Sequence, residues 1–334
     1  MRIGTLLAIS LGLVACGDNT PGLTLGALES SRRAAECERY VRCGVFADAA
    51  TCSAYFRKDI DPSLPAAVAA GKVQFDPLAA AACNDALAAR SCDATTSEVR
   101  AVPEVCKAVL VGTIAAGATC LDDRECGTGR CDAPACAPDA CCPGGCAPFV
   151  APAKLDAACT PEIGCVDGAF CGADKSCHAL VVAGGDCDAD AHCAAGLACI
   201  GPTDLQAGTC RALPRLGESC PYQRCAEIGA RCDASQHCVP IGTDGATCTD
   251  DAECSEFYEC DPASHRCTDQ PGLGQPCTGR CAGEAYCDFS SGSTGVCHPP
   301  QPSAAPCLSD DQCASEYCAE GPIFDQCTPQ AVCF

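Results

Sequence analysis

The chain has 334 residues, a formal net charge of −22, 39 Cys, no Trp, and only 9 Phe and 6 Tyr. Such a surface repels nucleic acid and anionic lipid, and so few large apolar side chains leave little material for one large core. Thiols at this density would be metal ligands in a reducing cytosol and disulfides in an exported protein; no Cys-x-Cys or Cys-x-x-Cys occurs, so bridges are expected rather than zinc or redox sites.

Residues 1–15 read as a signal peptide. Arg2 is its positive end, and its apolar stretch from Ile3 to Val14, at 12 residues, is too short to span a membrane. The run Leu13-Val14-Ala15-Cys16 resembles the lipobox of bacterial lipoproteins, in which the cysteine becomes the lipid-modified first residue. Parity agrees, because 38 cysteines remain once Cys16 is committed to a thioether, and these can close as 19 bridges. The resemblance implies fatty acyl chains such as palmitate on Cys16, a membrane partner reached through the N-terminal lipid, and a cell-envelope location. Gly17 is not the aspartate tied to inner-membrane retention, so the outer membrane is expected, periplasmic or surface-exposed. More than one acyl chain makes such attachment durable, at about 0.8 kcal/mol per buried methylene. Residues 16–29 show no periodic apolar pattern and read as the lipidated N-terminus and a tether.

Residues 30–112 read as an α-helical, disulfide-stapled domain with six cysteines: Cys37, Cys43, Cys52, Cys83, Cys92 and Cys106. One helix is expected to stop at Gly44, a second to start from an Asp48 cap and end before Asp61-Pro62, and a third to end at Gly71. A fourth opens at Asp76-Pro77 and runs to about Arg90, and a short last one lies near Pro103 to Leu110. Cys37 and Cys43 lie about 240° apart around a helix and should take different partners. The six can close as three bridges, with the connectivity open. Residues 30–112 hold ten basic and ten acidic side chains, whereas residues 113–334 hold 10 basic and 31 acidic. A neutral helical domain and an acidic array are expected to be two separate objects.

Residues 113–334 repeat a grammar in small disulfide-rich modules with little regular secondary structure. The first cysteines are Cys120, Cys159, Cys187, Cys220, Cys248, Cys277 and Cys307, recurring every 28 to 39 residues. Three positions ahead of each stands Gly117, Asp156, Gly184, Gly217, Gly245, Gly274 or Ala304, at a turn that often needs positive φ. A unit this short cannot hold itself by burial and needs staples. The first module has seven cysteines, including the vicinal pair Cys141 and Cys142, and the last has five, ending at Cys333.

The acidic residues that follow the first cysteines are Asp122, Asp123, Asp188, Asp190, Asp250, Asp251, Asp310 and Asp311. They read first as solvated turn caps and second as weak calcium candidates, the one cofactor considered, because calcium takes six to eight oxygens. All five histidines lie within two residues of a cysteine, as most positions in so dense a ladder do. No serine-nucleophile elbow, zincin helix, phosphate loop or dinucleotide fingerprint appears, so an enzyme is not expected.

The spacings Cys187-x5-Cys193-x5-Cys199, Cys248-x5-Cys254-x5-Cys260 and Cys307-x5-Cys313-x4-Cys318 resemble the Dickkopf N-terminal cysteine-rich motif, and more loosely EGF-like and EB modules. With the lipobox and helical head, the whole resembles cysteine-rich bacterial lipoproteins that carry such repeats. First-to-third and second-to-fourth pairing is expected, as Cys248–Cys260 with Cys254–Cys267 and Cys187–Cys199 with Cys193–Cys210. The expected function is that of an exported, lipid-anchored, non-enzymatic envelope protein, extended outward for adhesion to, or binding of, a protein or glycan ligand. The alternatives are a protease inhibitor built on disulfide modules and a calcium-dependent envelope structural protein.

Overall fold

The computed structural model describes residues 23–56, 63–93, 102–134, 141–160, 163–203, 206–290, 292, 294–314, 318–319 and 325–327. Four α-helices occur among them: α1 (Leu28–Arg42), α2 (Ala49–Tyr55), α3 (Ser63–Ala69) and α4 (Pro77–Ala88). Asp48 Oδ1 accepts from the Ala50 and Thr51 N–H groups at 2.8 and 2.9 Å, and Asp76 Oδ1 from those of Leu78 and Ala79 at 2.8 and 3.0 Å. These caps satisfy N–H groups that a helix start leaves without partners, and Pro77 needs none. Arg39 Nε and Nη2 donate to the Ser91 carbonyl at 3.1 and 2.9 Å, and Arg42 donates to the carbonyls of Ala88 and Arg90. Two cations of α1 thus cover the open carbonyls and negative dipole end of α4. Leu28, Leu64, Val73, Ala80, Leu87 and Val109 form the core beneath, and Cys37–Cys52, Cys43–Cys92 and Cys83–Cys106 staple its elements.

The short helix expected near Pro103 to Leu110 is a 3-10 helix over Glu104–Ala108, and it gives way at Leu110 to a strand, β2 (Leu110–Gly112), which pairs antiparallel with β1 (Val73–Phe75). Cys106 is pinned to Cys83 on α4, and the free edge of β1 takes the residues beyond it in place of a further helical turn. The tether is also shorter than expected, because α1 starts at Leu28, whose side chain is buried in the core. Asp61 and Pro62 lie outside the described residues.

Downstream, one design recurs seven times. The third cysteine of each module stands opposite its fourth, a place taken in the first module by the seventh, Cys146, across an antiparallel pair: Cys131 and Cys146, Cys171 and Cys177, Cys199 and Cys210, Cys232 and Cys238, Cys260 and Cys267, Cys287 and Cys297, Cys318 and Cys327. Each third cysteine bonds to the first and each fourth to the second, as in Cys187–Cys199 with Cys193–Cys210 and Cys248–Cys260 with Cys254–Cys267. Opposed residues share a sheet face, so two disulfides leave each hairpin side by side. The leading turn residue completes the unit. Its N–H donates to the fourth cysteine's carbonyl in every module, from Gly117 to Cys146 at 2.7 Å through Ala304 to Cys327 at 2.7 Å. All seven of these turn residues adopt positive φ, between 63° at Asp156 and 86° at Gly184.

The modules alternate. The first, third, fifth and seventh carry a 3-10 turn between the first two cysteines, at Asp123–Glu125, Asp190–His192, Asp251–Glu253 and Asp310–Gln312, and the second, fourth and sixth have none among the described residues. The even modules instead expose a leucine beside the leading turn, Leu155, Leu216 and Leu273. Arg224 of the fourth reaches back to Asp190 of the third at 2.7 Å, and Arg280 of the sixth to the Glu256 carbonyl of the fifth at 3.1 Å. The unit of repetition is therefore a pair of modules.

The separation expected between helical domain and array does not hold. At the exit, Gly112 packs so tightly on the Cys126 backbone that a Cβ would overlap it. The buried Glu125 carboxylate there pairs with Lys72 at 3.0 Å. The chain then returns. Ile228 N–H donates to the Cys92 carbonyl at 2.9 Å, Arg215 pairs with Asp93 at 2.8 Å, and Gly229 lies on the Cys43 carbonyl with no room for a Cβ. In the fifth module Phe257 stacks on Phe46 at 4.3 Å, and the Tyr258 hydroxyl accepts from Ala47 N–H at 3.1 Å. Tyr40, Tyr55 and Phe56 complete this joint, which gathers six of the chain's 15 Phe and Tyr.

Two outcomes follow for stability. Gly245→Ala meets no atom within 4 Å but strains a left-handed backbone, so it should cost about 1 kcal/mol, whereas Ala304→Gly should gain about 1 kcal/mol. Asp156→Gly should gain less, since Asp tolerates this conformation. Guanidinium midpoints of the oxidised chain, read by module-resolved hydrogen exchange, check all three. Phe257→Ala should cost about 3–5 kcal/mol and speed amide exchange in α2 and the fifth module together; exchange rising in only one of them would deny the shared core.

Candidate functional site

The acidic residues considered for calcium act on the backbone. Asp123, Asp190, Asp251 and Asp310 each accept from the N–H of their module's third cysteine, at 2.6 Å from Cys131, 2.9 Å from Cys199, 2.8 Å from Cys260 and 2.7 Å from Cys318. Asp122 and Asp250 cap the 3-10 turns through the Arg124 and Ala252 N–H groups at 2.8 and 2.9 Å. The residue before the second cysteine reaches back to the N–H that follows the first: Glu125 to Leu121 at 2.8 Å, Glu253 to Thr249 at 2.7 Å, Gln312 to Leu308 at 2.8 Å, and His192, through Nδ1, to Asp188 at 3.4 Å. These side chains tie the turn to the hairpin in the first, third, fifth and seventh modules. Asp188 contributes its N–H, and the Asp311 side chain and Cys16 lie outside what is described.

Histidines and cysteines do not assemble a metal centre among the described residues. His192 stacks on Phe170 at 4.0 Å, His178 pairs with Asp174 at 2.9 Å, and the others lie in separate modules. Sulfur triplets such as Cys248, Cys254 and Cys267 come within 4.8 Å, but each described cysteine is in a disulfide and offers no thiolate. Cys141 and Cys142 are both bridged.

Among the described residues, two clefts border the helical domain and have room for a ligand. One, of about 490 Å³, runs between α1 and α4 under the Glu104–Ala108 turn and has an apolar floor with charged side chains on its rim. The other, of about 800 Å³, opens at the joint between α2 and the fifth and sixth modules, where Tyr55 and Phe257 face Leu273, Pro299 and Pro300. This second cleft is acidic. Burial, then Asp244 and Asp48, push the Asp269 carboxyl above its usual range, and burial, then Glu256, raises the Tyr55 hydroxyl. Glu284 lines it as well. Both clefts escaped the sequence reading, although the α1 residues Arg32, Glu36, Arg39 and Tyr40 fall at helical spacing, and Phe257-Tyr258 is an adjacent aromatic pair in an array poor in them.

Hydrogen bonds hold several turn carboxylates below their ordinary range: Asp48 chiefly through Thr51 N–H, Asp233 through His237 N–H, Asp288 through Ser290 N–H and Glu253 through Thr249 N–H. Asp261 is lowered chiefly by the Ser264 hydroxyl and Asp174 by His178. A depressed folded value means that the stabilisation is present in full above the ordinary values of 3.8 and 4.5 and disappears as pH falls through the folded ones. The guanidinium midpoint should therefore be flat at neutral pH and decline below about pH 4, and Asp233→Asn with Asp261→Asn should flatten that decline. No family model, curated protein or solved structure matches the chain.

Proposed function

We propose that the chain is an exported, lipid-anchored envelope protein without enzymatic activity that uses its folded-back array and helical domain to bind a protein or glycan ligand. The observation that best supports this reading is that all described cysteines are disulfide-bonded; a cytosol that keeps thiols reduced would leave modules of this size without staples. The lipobox-like run before Cys16 supports the anchor. The resemblance in spacing to Dickkopf-like and EGF-like modules supports the binding role, and Gly17 supports the outer membrane as the destination. No helix among the described residues is long and apolar enough to cross a membrane, so on this reading the lipid alone holds the chain there.

Expression in a Gram-negative host tests the proposal. The mature product should begin at Cys16 with thioether-linked diacylglycerol and an acylated amine, contain no free thiol, and fractionate with the outer membrane. Cys16→Ala should release the protein from membranes without changing its disulfides. Unmodified Cys16, unoxidised thiols or stoichiometric zinc in the mature protein would overturn the reading, and proximity labelling on intact cells would identify the ligand.

A further inference from the structure

The cleft at the joint of α2 with the fifth and sixth modules holds negative charge that nothing offsets. Asp269 of the fifth module and Glu284 of the sixth both line it, and neither has a hydrogen-bond or ion-pair partner among the described residues. The charged groups that act on Asp269 are Asp244 and Asp48, both acids, so its charge is opposed rather than compensated. No lysine or arginine lines the cleft among the described residues. The guanidinium of Arg280 is turned to the Glu256 carbonyl at 3.1 Å and lines a separate cleft.

Much of the remaining wall is apolar. Leu273 is 62% exposed, and the half-buried Tyr55 keeps its hydroxyl free of hydrogen bonds among the described residues. Aromatic rings attract cations through their quadrupole. Gln270, in the same wall, is 4% exposed; its Nε2 donates to the Glu256 carbonyl at 2.8 Å, and its Oε1 has no partner among the described residues. A buried amide oxygen left in that state adds its partial negative charge to the field of the cleft.

We infer that this cleft takes a basic segment of a protein ligand, with lysine or arginine heads at Asp269 and Glu284 and apolar stems on Tyr55, Leu273 and Pro299, which rests on the reading above that the chain binds a ligand and selects protein over glycan. Long cationic side chains supply both parts, a charged head on an apolar stem. The volume of about 800 Å³ stands near the top of the range for ligand sites and admits more than one side chain. Because the two carboxylates belong to different modules and Tyr55 to α2, one occupant joins three elements.

The test uses the full disulfide-bonded chain carrying Cys16→Ala, at about 0.15 M salt to screen bulk attraction. Calorimetric titration compares a capped hexapeptide of alternating lysine and leucine, the same peptide with every lysine acetylated, and lysine amide alone. The lysine peptide should bind at one site and slow amide exchange in α2 and the sixth module together, and the other two should bind at least about tenfold more weakly. Asp269→Asn and Glu284→Gln should each weaken the lysine peptide about fivefold, and Asp269→Asn should do so without lowering the guanidinium midpoint, since it relieves repulsion. Leu273→Ser should weaken both peptides, whereas Asp186→Asn, which removes an equal charge from the third module, should weaken neither. No saturable binding of the lysine peptide, equal binding of its acetylated form or of lysine amide, or an Asp186→Asn loss as large as that of Asp269→Asn would each overturn the inference. So would binding seen only with Arg57→Gln and Lys58→Gln, which would mean that the chain's own bases fill the cleft. None of these failures touches the lipid on Cys16 or the absence of free thiols, on which the envelope reading is tested separately.

Discussion

Everything downstream of Gly112 depends on two disulfides leaving one face of a short hairpin. Because the third and fourth cysteines stand opposite each other, the two bridges pack side by side and replace the apolar core that some 30 residues cannot supply. In the chain-entropy picture each such loop contributes about 3 kcal/mol, less when neighbouring crosslinks share one hairpin. The leading turn's N–H and, in the first, third, fifth and seventh modules, the carboxylate that caps the third cysteine then remove the remaining slack. Sulfur fixes which segments meet, and hydrogen bonds fix their register.

Sulfur alone does not set how the modules lie relative to the helices, and there the chain spends its scarce aromatic side chains. Phe46 and Phe257 stack while Tyr40, Tyr55, Phe56 and Tyr258 surround them. Such pairs are worth about 0.5–1.5 kcal/mol beyond the area they bury. Concentrating six of 15 in one place makes a single firm joint. The exit at Gly112, closed by Lys72 and Glu125, and the return at Cys92 and Gly229 give the array two more fixed points on the helical domain.

What the sequence made legible was local. A cysteine every few residues, a glycine three positions before the first, and aspartates at helix starts each report on chain within a turn or two, and the disulfide-rich repeats and the helical, disulfide-stapled start carry that imprint. The departures were long-range. Ala47 and Tyr258 are 211 positions apart, and neither residue's neighbours reveal that the two meet. The sharp change in charge at residue 112 suggested separation, yet net charge reports the sum over solvated faces, and the contact runs through aromatic rings, backbone and the opposite-charge pairs Lys72–Glu125 and Arg215–Asp93. The final short helix is present over Glu104–Ala108 but ends before Leu110, because the competing claim on Leu110 comes from β1, whose edge no pattern near Leu110 announces. The alternation of modules was present in the sequence, since an aspartate three residues after the first cysteine marks Asp123, Asp190, Asp251 and Asp310 alone. Its meaning needed the hydrogen bond that each makes to the third cysteine.

These two kinds of constraint give the molecule two scales of stability. Within a module the crosslinks persist in the unfolded ensemble, so local order re-forms over short loops. At the joint the constraint is burial with the Ala47–Tyr258 hydrogen bond, and one buried aromatic lost there removes a large share of what a marginally stable domain possesses. Opening of the joint therefore costs less than dissolution of any module, and the two events need not coincide, so the chain is not expected to behave as a single cooperative unit. The larger cleft lies on this joint and changes shape whenever the fifth module shifts. The smaller cleft lies within the helical domain, where Cys83–Cys106 and the Arg39 and Arg42 bonds hold its walls. It is consequently the better organised of the two for a ligand of fixed dimensions.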